Sequence, residues 1–378
     1  MIRFPAFILA AFILAACDGN PFDQGEETPP PAPPTEPEPP TEPEPPTEPD
    51  DTGIEGRGLP PGTANPTPDN SIVRREARVT ADGVNQGNGF ANNYRYDSDS
   101  DTFYVEGLAF DGDQPDGTEY TRSAVPLGTG FAAYEGPSTV PDSLTGVPIS
   151  QLVHRVVFKR GANGPDGEPL TELAIVRTGA YTGYGFGGFI YQRNGDVILP
   201  TTGQAQYSGN YAGLRDFSGT SGIEYVTGDM EVAIDFNGFS GNCTATRCTD
   251  AVRGSVSNRR VYDMEGADVT NDIIADINSQ DNASISALPT LRFKIGTGVL
   301  DRNGEIVGTL DSTFFNNDGR AVLYEEGNYY AIMAGDHTTN PGGEIVGILV
   351  VEGQERRTPG ATFRETGGFI LNRDQPAP

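Results

Sequence analysis

The chain predicts an all-β protein, and three observations carry that expectation. Almost every apolar segment is short and alternating, and Gly, Asn or Asp closes it. Tight-turn pairs stand between such segments at Asn194-Gly195, Asn303-Gly304 and Asp318-Gly319. Two motifs occur twice: GGFI at 187–190 and 367–370, and GEIVG at 304–308 and 343–347. Matched strands at both ends of a segment predict a sheet whose first and last strands meet. The expectation is a closed barrel from about 180 to 373, sealed by pairing the two GGFI strands, because closure removes open edges. Residues 70 to about 178 then form a smaller β-unit beside the barrel.

The first seventeen residues read as an export signal. Arg3 supplies a positive start, Phe4 to Phe12 is apolar, and Leu14-Ala15-Ala16-Cys17 puts small residues before a cysteine. That last run resembles the lipobox of bacterial lipoproteins, which implies cleavage after residue 16 and acylation of Cys17. Each buried acyl methylene adds about 0.8 kcal/mol, so several chains anchor firmly. The plainer alternative is a secretory signal cut near Ala16.

Residues 17–69 follow as a stalk. It holds almost no aliphatic side chains and three copies of one hexapeptide, PPTEPE, PPTEPE and PPTEPD, at 33–50. Proline favours polyproline II and the glutamates repel one another. At about 3.1 Å per residue the stalk reaches on the order of 150 Å at full stretch.

Beyond the stalk, strands are expected at 72–80, 90–96, 102–110, 152–159, 173–178 and 188–193. Further strands are expected at 204–207, 230–236, 253–261, 292–300, 305–315, 321–324, 329–333, 344–351 and 368–371. MEVAIDF alternates cleanly, with Met230, Val232, Ile234 and Phe236 on one face. One helix stands out: Asp268-Val269-Thr270 offers caps, and Ile273, Ile274 and Ile277 share a face.

The chain carries 53 acidic and 25 basic residues, a formal charge of −28. Thirteen of the carboxylates and Arg57 lie in residues 18–69, which leaves the folded part near −17. Such a surface disfavours nucleic acid and anionic lipid and favours cations or a basic partner. Cys243 and Cys248, four residues apart, are expected to pair in an oxidising envelope, stapling a loop for about 2 kcal/mol. The rival is a metal site, which two cysteines without nearby histidine serve poorly.

No catalytic set emerges. His154 and His337 are the only histidines and lie far apart, and Ser143, Ser218 and Ser221 lack a nucleophile-elbow context. No cofactor motif emerges either: the run Gly183–Gly188 lacks the lysine and helix of a phosphate loop. Asp97, Asp99 and Asp101, and again Asp111, Asp113 and Asp116, resemble the start of a calcium loop. Turn residues account for both runs as well. Tyr181, Tyr184 and Phe186 form either an exposed aromatic patch for a protein or haem face, or core filling.

Several motifs resemble transferrin-binding protein B. Gly203-Gln-Ala-Gln-Tyr207-Ser-Gly209 is similar to the opening of that family's barrel. Asp235-Phe236 is similar to its V-D-F strand, with Gly254 on the strand that follows. Gly308 with Phe314-Phe315 matches its G-x-F strands, and residues 340–347 resemble the loop and E-x-x-G strand near its end. The resemblance covers about 180–373. It implies a lipoprotein with a handle-like domain at 70–178 and an eight-stranded barrel at 179–378. The family's best-known members capture an iron-carrying host protein for an outer-membrane receptor, and single-lobe members bind haem or haem proteins. The expected role here is therefore non-catalytic capture of such a ligand at the cell envelope, with a TonB-dependent receptor as second partner. The alternatives are a surface interaction protein without a transport role and a calcium-dependent adhesin. This chain has room for one lobe where transferrin-binding protein B has two. Asp18, after the lipidated cysteine, leaves the choice of membrane open. The loops carry no recognisable family sequence.

Overall fold

The computed structural model describes residues 58–77, 91–106, 118–142, 144–150, 152–179, 183–236, 252–294, 299–339 and 342–374. Strands β1 (Ile72–Arg75), β2 (Asn93–Asp97), β3 (Thr102–Glu106), β4 (Thr118–Arg122) and β5 (Ala132–Glu135) open the fold. A small hairpin, β6 (Thr139–Pro141) and β7 (Pro148–Ser150), interrupts them before β8 (Arg155–Arg160), β9 (Thr171–Arg177) and β10 (Gly187–Arg193). Apart from that hairpin, these eight strands make one antiparallel sheet in the order β1-β10-β9-β8-β5-β4-β3-β2.

The short β11 (Val197–Ile198) leads to β12 (Gln204–Ser218), β13 (Ile223–Asp235) and β14 (Val252–Tyr262). Helix α1 (Thr270–Gln280) follows, and then β15 (Leu291–Phe293), β16 (Glu305–Phe315), β17 (Ala321–Asp336), β18 (Glu344–Gln354) and β19 (Thr362–Arg373). Each strand from β12 to β19 is antiparallel to the next, and β19 pairs back onto β12 from Tyr207↔Arg373 to Ser218↔Thr362. The result is a closed eight-stranded barrel.

The barrel expectation holds, but its seam does not. The GGFI strands do not pair with each other. Gly187–Ile190 opens β10, paired with β9 and β1 in the first sheet, whereas Gly367–Ile370 lies in β19. The barrel therefore begins at Gln204 rather than near 179. The physical reason lies in burial: β10 has Phe189 and Tyr191 on one covered face and Ile190 on the other. Neither of those faces joins the lumen core, whereas β19 turns Phe369 into the lumen and Ile370 toward the first sheet.

The GEIVG echo has a different meaning from the one expected. Glu305 and Glu344 open β16 and β18 at equivalent positions, and both reach toward the first sheet. Glu305 takes a two-pronged ion pair from Arg74 at 2.7 and 2.8 Å, and Glu344 accepts from Thr171 Oγ1 at 2.8 Å and Ala162 N at 2.7 Å. Three residues on, Gly308 and Gly347 leave room for rings. A Cβ at Gly308 would lie 2.4 Å from Tyr329 Oη, and one at Gly347 would lie 2.3 Å from Phe369 Cζ.

Three cores follow from the alternation of side chains. The barrel lumen is packed by Tyr207, Tyr211, Met230, Val232, Ile234, Phe293 and Tyr329, among others. Ile273, Ile274 and Ile277 of α1 join that core, so the expected apolar face is the one buried. A second core lies between the first sheet and the barrel wall, where Leu173, Ile175 and Phe189 meet Leu214, Ile348 and Ile370. The other face of the first sheet holds a third, where the Phe103 ring lies 5.4 Å from Tyr134 and 5.0 Å from Phe158. Strands β8 to β10 are covered on both faces and read as continuous apolar runs. β13 faces solvent on one side and alternates.

Candidate binding surface

The aromatic candidates act as struts. Tyr184 is half-buried; its hydroxyl lies 2.8 Å from Thr362 Oγ1, and the Arg364 guanidinium stands 4.5 Å over its ring. Burial raises its phenol pKa. Phe186 is also half-buried. Both belong to the segment that enters β10, a strand and not the helix a phosphate loop requires. Tyr181 lies outside the described residues.

Asp97, Asp99 and Asp101 form the turn between β2 and β3. Asp97 Oδ1 accepts the N–H groups of Asp99 at 2.9 Å and Ser100 at 3.4 Å, and the Asp99 N–H holds its carboxyl below the usual range. Asp101 sits at φ 51° and accepts from Tyr134 Oη at 2.7 Å and Tyr96 Oη at 3.1 Å. The Tyr134 hydrogen bond is the main reason its carboxyl also stays low. These carboxylates close a turn and tie it to the aromatic core. Asp111, Asp113, Asp116, Cys17, Asp18, Cys243 and Cys248 lie outside the described residues. Among the described residues no three carboxylate, imidazole or thiolate groups converge as a metal site would require.

Both histidines are buried and neutral. Burial lowers each to about 4. His154 accepts the Gly136 N–H on its carbonyl at 2.9 Å, and His337 Nδ1 lies 2.7 Å from Tyr207 Oη at one end of the lumen. Across the lumen runs a closed charge network. Arg259 pairs with Glu325, and with Glu365 at 2.6 Å; Arg215 reaches Glu365 at 2.8 Å. Tyr211 donates to Glu365 at 2.7 Å and Ser312 to Glu325 at 2.8 Å. Burial alone would raise Glu365, but the Arg259 and Arg215 guanidiniums hold it below the usual carboxylate range. Two cations and two anions cancel, so this part of the lumen is filled scaffold.

The surface feature that sequence reading missed is the β6–β7 hairpin. Its local chemistry is plain. Asp142 Oδ1 accepts from Leu144 N at 3.2 Å, Thr145 N at 2.7 Å and Thr145 Oγ1 at 2.7 Å, and Gly146 takes φ 68°. Pro141 pairs with Pro148, which stops the ladder from growing. Three side chains on this hairpin stand in solvent: Leu144 is 93% exposed, Val147 58% and Ile149 45%. Covering them would return about 4 kcal/mol of apolar burial. The signal was present in VPDSLTGVP, a Pro-Asp turn with a glycine between apolar residues, but each strand is only three residues long.

The hairpin springs from the end of the first sheet that meets the barrel mouth. β8 starts at Arg155 opposite Arg177, the end of β9, and the next glycine, Gly179, accepts the Gly222 N–H from the β12–β13 loop at 2.6 Å. Arg155 and Glu135, 3.6 Å apart, stand near Tyr225 at the start of β13.

No protein-family model matches the chain, and no curated protein matches it. Similar chains among the solved structures include the following three. A double mutant of the vaccine antigen transferrin-binding protein B from Haemophilus parasuis Hp5 has a TM-score of 0.31 and 10% identity, covering 81% of this chain and 52% of that one. A single mutant of the same antigen has a TM-score of 0.28 and 9% identity, covering 81% and 62%. Intact Ap-TbpB, with its N and C lobes, has a TM-score of 0.30 and 10% identity, covering 80% and 52%. The chain spans about half the length of the first of these. Its sheet-and-barrel architecture rests on its own strand register.

Proposed function

We propose that the chain is a lipid-tethered, non-catalytic binding lobe of the bacterial cell envelope. Cys17 carries the acyl anchor and residues 18–69 hold the lobe away from the bilayer. The sheet and the packed barrel form a rigid body, and the β6–β7 hairpin is the contact surface for a protein partner. The observation that carries this reading is the apolar hairpin itself. Three of the seven exposed large apolar side chains among the described residues sit on this one short element. The likeness of the 203–209, 235–236 and 340–347 motifs to transferrin-binding protein B supports the partner's class: an iron-carrying protein or haem protein passed to a TonB-dependent outer-membrane receptor.

The test is affinity capture with the full chain from iron-starved cells, followed by mass spectrometry. The native chain is expected to recover an iron-bearing protein or a receptor. The variant Leu144→Ser/Val147→Ser/Ile149→Thr is expected to lose it at an unchanged melting temperature. Recovery of neither class of partner defeats the iron reading. Equal capture by the variant defeats the hairpin as the contact surface. Cys17→Ala is expected to move the protein out of the membrane fraction.

A further inference from the structure

The excursion between β5 and β8 runs from Gly136 to His154 and carries the β6–β7 hairpin. Among its described residues from 138 to 150 only Val140 is buried, and 144–150 stand in solvent throughout. Both strands are three residues long and end on the Pro141–Pro148 pair. Its base is closed by one step of ladder beyond Glu135↔Arg155, where the Gly136 N–H donates to the His154 carbonyl at 2.9 Å. An element with so little buried surface opens far more readily than the sheet it springs from.

His154 is the buried member of that base, at 2% exposure. Val156 and Phe158 lie in the third core, so alternation along β8 puts the imidazole on the same face. Its Nε2 is buried with no hydrogen-bond partner among the described residues. Burial lowers the ring to about 4, and a hydrogen bond to the Leu152 backbone opposes that shift without offsetting it. Among the described residues no charged group compensates the ring. On the same face β4 offers Tyr120, and β5 offers Tyr134, whose hydroxyl is committed to Asp101 at 2.7 Å. Beyond that hydroxyl Arg122 and Asp101 pair with each other at 3.3 Å. Arg155 and Glu135, 3.6 Å apart, act on Tyr225 at the opposite face of the sheet. Asp142, the one carboxylate between 136 and 154, accepts three hydrogen bonds from its own turn. A proton on this imidazole therefore meets an apolar wall, and the charged ring must reach water. Strands β4, β5 and β8 each have a neighbour on both edges, so the element free to yield is the excursion.

We propose that His154 is an acid-sensitive hinge for the β6–β7 hairpin. Uncharged, the ring seals the base of the excursion. Protonated, it leaves for solvent, breaks the Gly136–His154 hydrogen bond and frees the hairpin. The hinge is independent of the binding-lobe reading. Its consequence, that acid releases the protein partner held by Leu144, Val147 and Ile149, rests on that reading.

The experiment is hydrogen–deuterium exchange of the full chain at pH 7.5 and pH 5, each rate divided by the intrinsic rate at that pH. A ring that titrates near 6.5 when open and near 4 when closed shifts the opening equilibrium roughly thirtyfold between the two conditions. Protection of the Gly136 amide should fall by that factor. Amides of β9 and β10 should stay at least about a hundredfold better protected at both pH values, which marks the opening as local. His154→Leu and His154→Gln, neither of which takes the proton, should each abolish the fall, and His337→Leu should keep it. Melting curves establish which variants fold. A fall of less than about threefold in the native chain, an equal fall in a folded His154 variant, or equal loss of protection in β9 and β10 overturns the hinge. The consequence is read on the complex captured at pH 7.5 and washed at pH 5. The native chain is expected to release its partner and His154→Leu to retain it. Opening without release removes the partner from this reading and keeps the hinge. Release by both chains without opening at Gly136 defeats the hinge and leaves the binding lobe standing. Opening with no partner captured at either pH defeats the binding-lobe reading alone.

Discussion

Replacing Arg259 by methionine tests whether the lumen network holds the barrel together. The guanidinium is fully buried and donates to Glu325 twice and to Glu365 once. Removing it leaves two cations and two anions reduced to one cation, Arg215, against both carboxylates. Glu325 keeps only the Ser312 hydroxyl, at 2.8 Å. Breaking a buried pair from one side costs about 3–5 kcal/mol, mostly the burden of the carboxylate left behind. The assay is urea denaturation of the full chain at pH 7. Arg259→Met should lower the midpoint by that amount. Arg259→Met/Glu325→Leu restores neutrality, with Glu365 still held by Arg215 and Tyr211, and should recover all but about 1–2 kcal/mol. The pH dependence has a definite sign. In the native chain Glu365 is held low, so its contribution is complete above the unfolded value near 4.3 and is lost only as pH falls through its lower folded value. In Arg259→Met the unpaired carboxylate is raised, and the folded state binds a proton that the unfolded state does not. The deficit relative to the native chain should therefore shrink from pH 7 to pH 5. A single variant within about 0.5 kcal/mol of native at pH 7, or a double variant less stable than the single, would refute the reasoning.

Gly308→Val should lower the melting temperature, because its Cβ would lie 2.4–2.6 Å from the Tyr329 ring and hydroxyl, and that ring is stacked on Phe293 at 3.6 Å. The cost of such overpacking is about 1–3 kcal/mol, or roughly 2–4 °C for each kcal/mol, and Tyr329→Leu in the same chain should relieve it. The two histidines bind protons more readily unfolded, near 6.5, than folded, near 4, so stability should be complete above about pH 6.5 and fall as pH drops toward 4. At pH 5 each contributes a loss of about 2 kcal/mol, and His154→Leu should remove its half of that slope in urea titrations. Cys243 and Cys248 are expected to resist thiol alkylation in the folded chain until a reductant is added; labelling of both without reductant would exclude their bridge.

Much of the fold was legible in the residues. Glu305–Phe315 matches its expected bounds, and the three isoleucines of α1 face the core they were expected to face. Both depend on local periodicity, which the chain carries in itself. The segments 321–324 and 329–333 were expected as two strands and are one, β17, because Glu325 is buried in the lumen by Arg259. A carboxylate in the middle of an apolar run reads as a break until its distant partner is known. The hairpin at 139–150 escaped for the opposite reason: three-residue strands carry too little pattern, and only their exposure in the fold gives Leu144, Val147 and Ile149 meaning.

The sequence alone determined the all-β class, the anionic surface, the stalk composition and the repeats, since composition and period-two alternation are properties of neighbouring residues. Only the tertiary structure decided the seam of the barrel, because GGFI at 187 and GGFI at 367 are equivalent as local patterns. Which strand closes the barrel and which packs against its wall depends on cover from residues more than a hundred positions away.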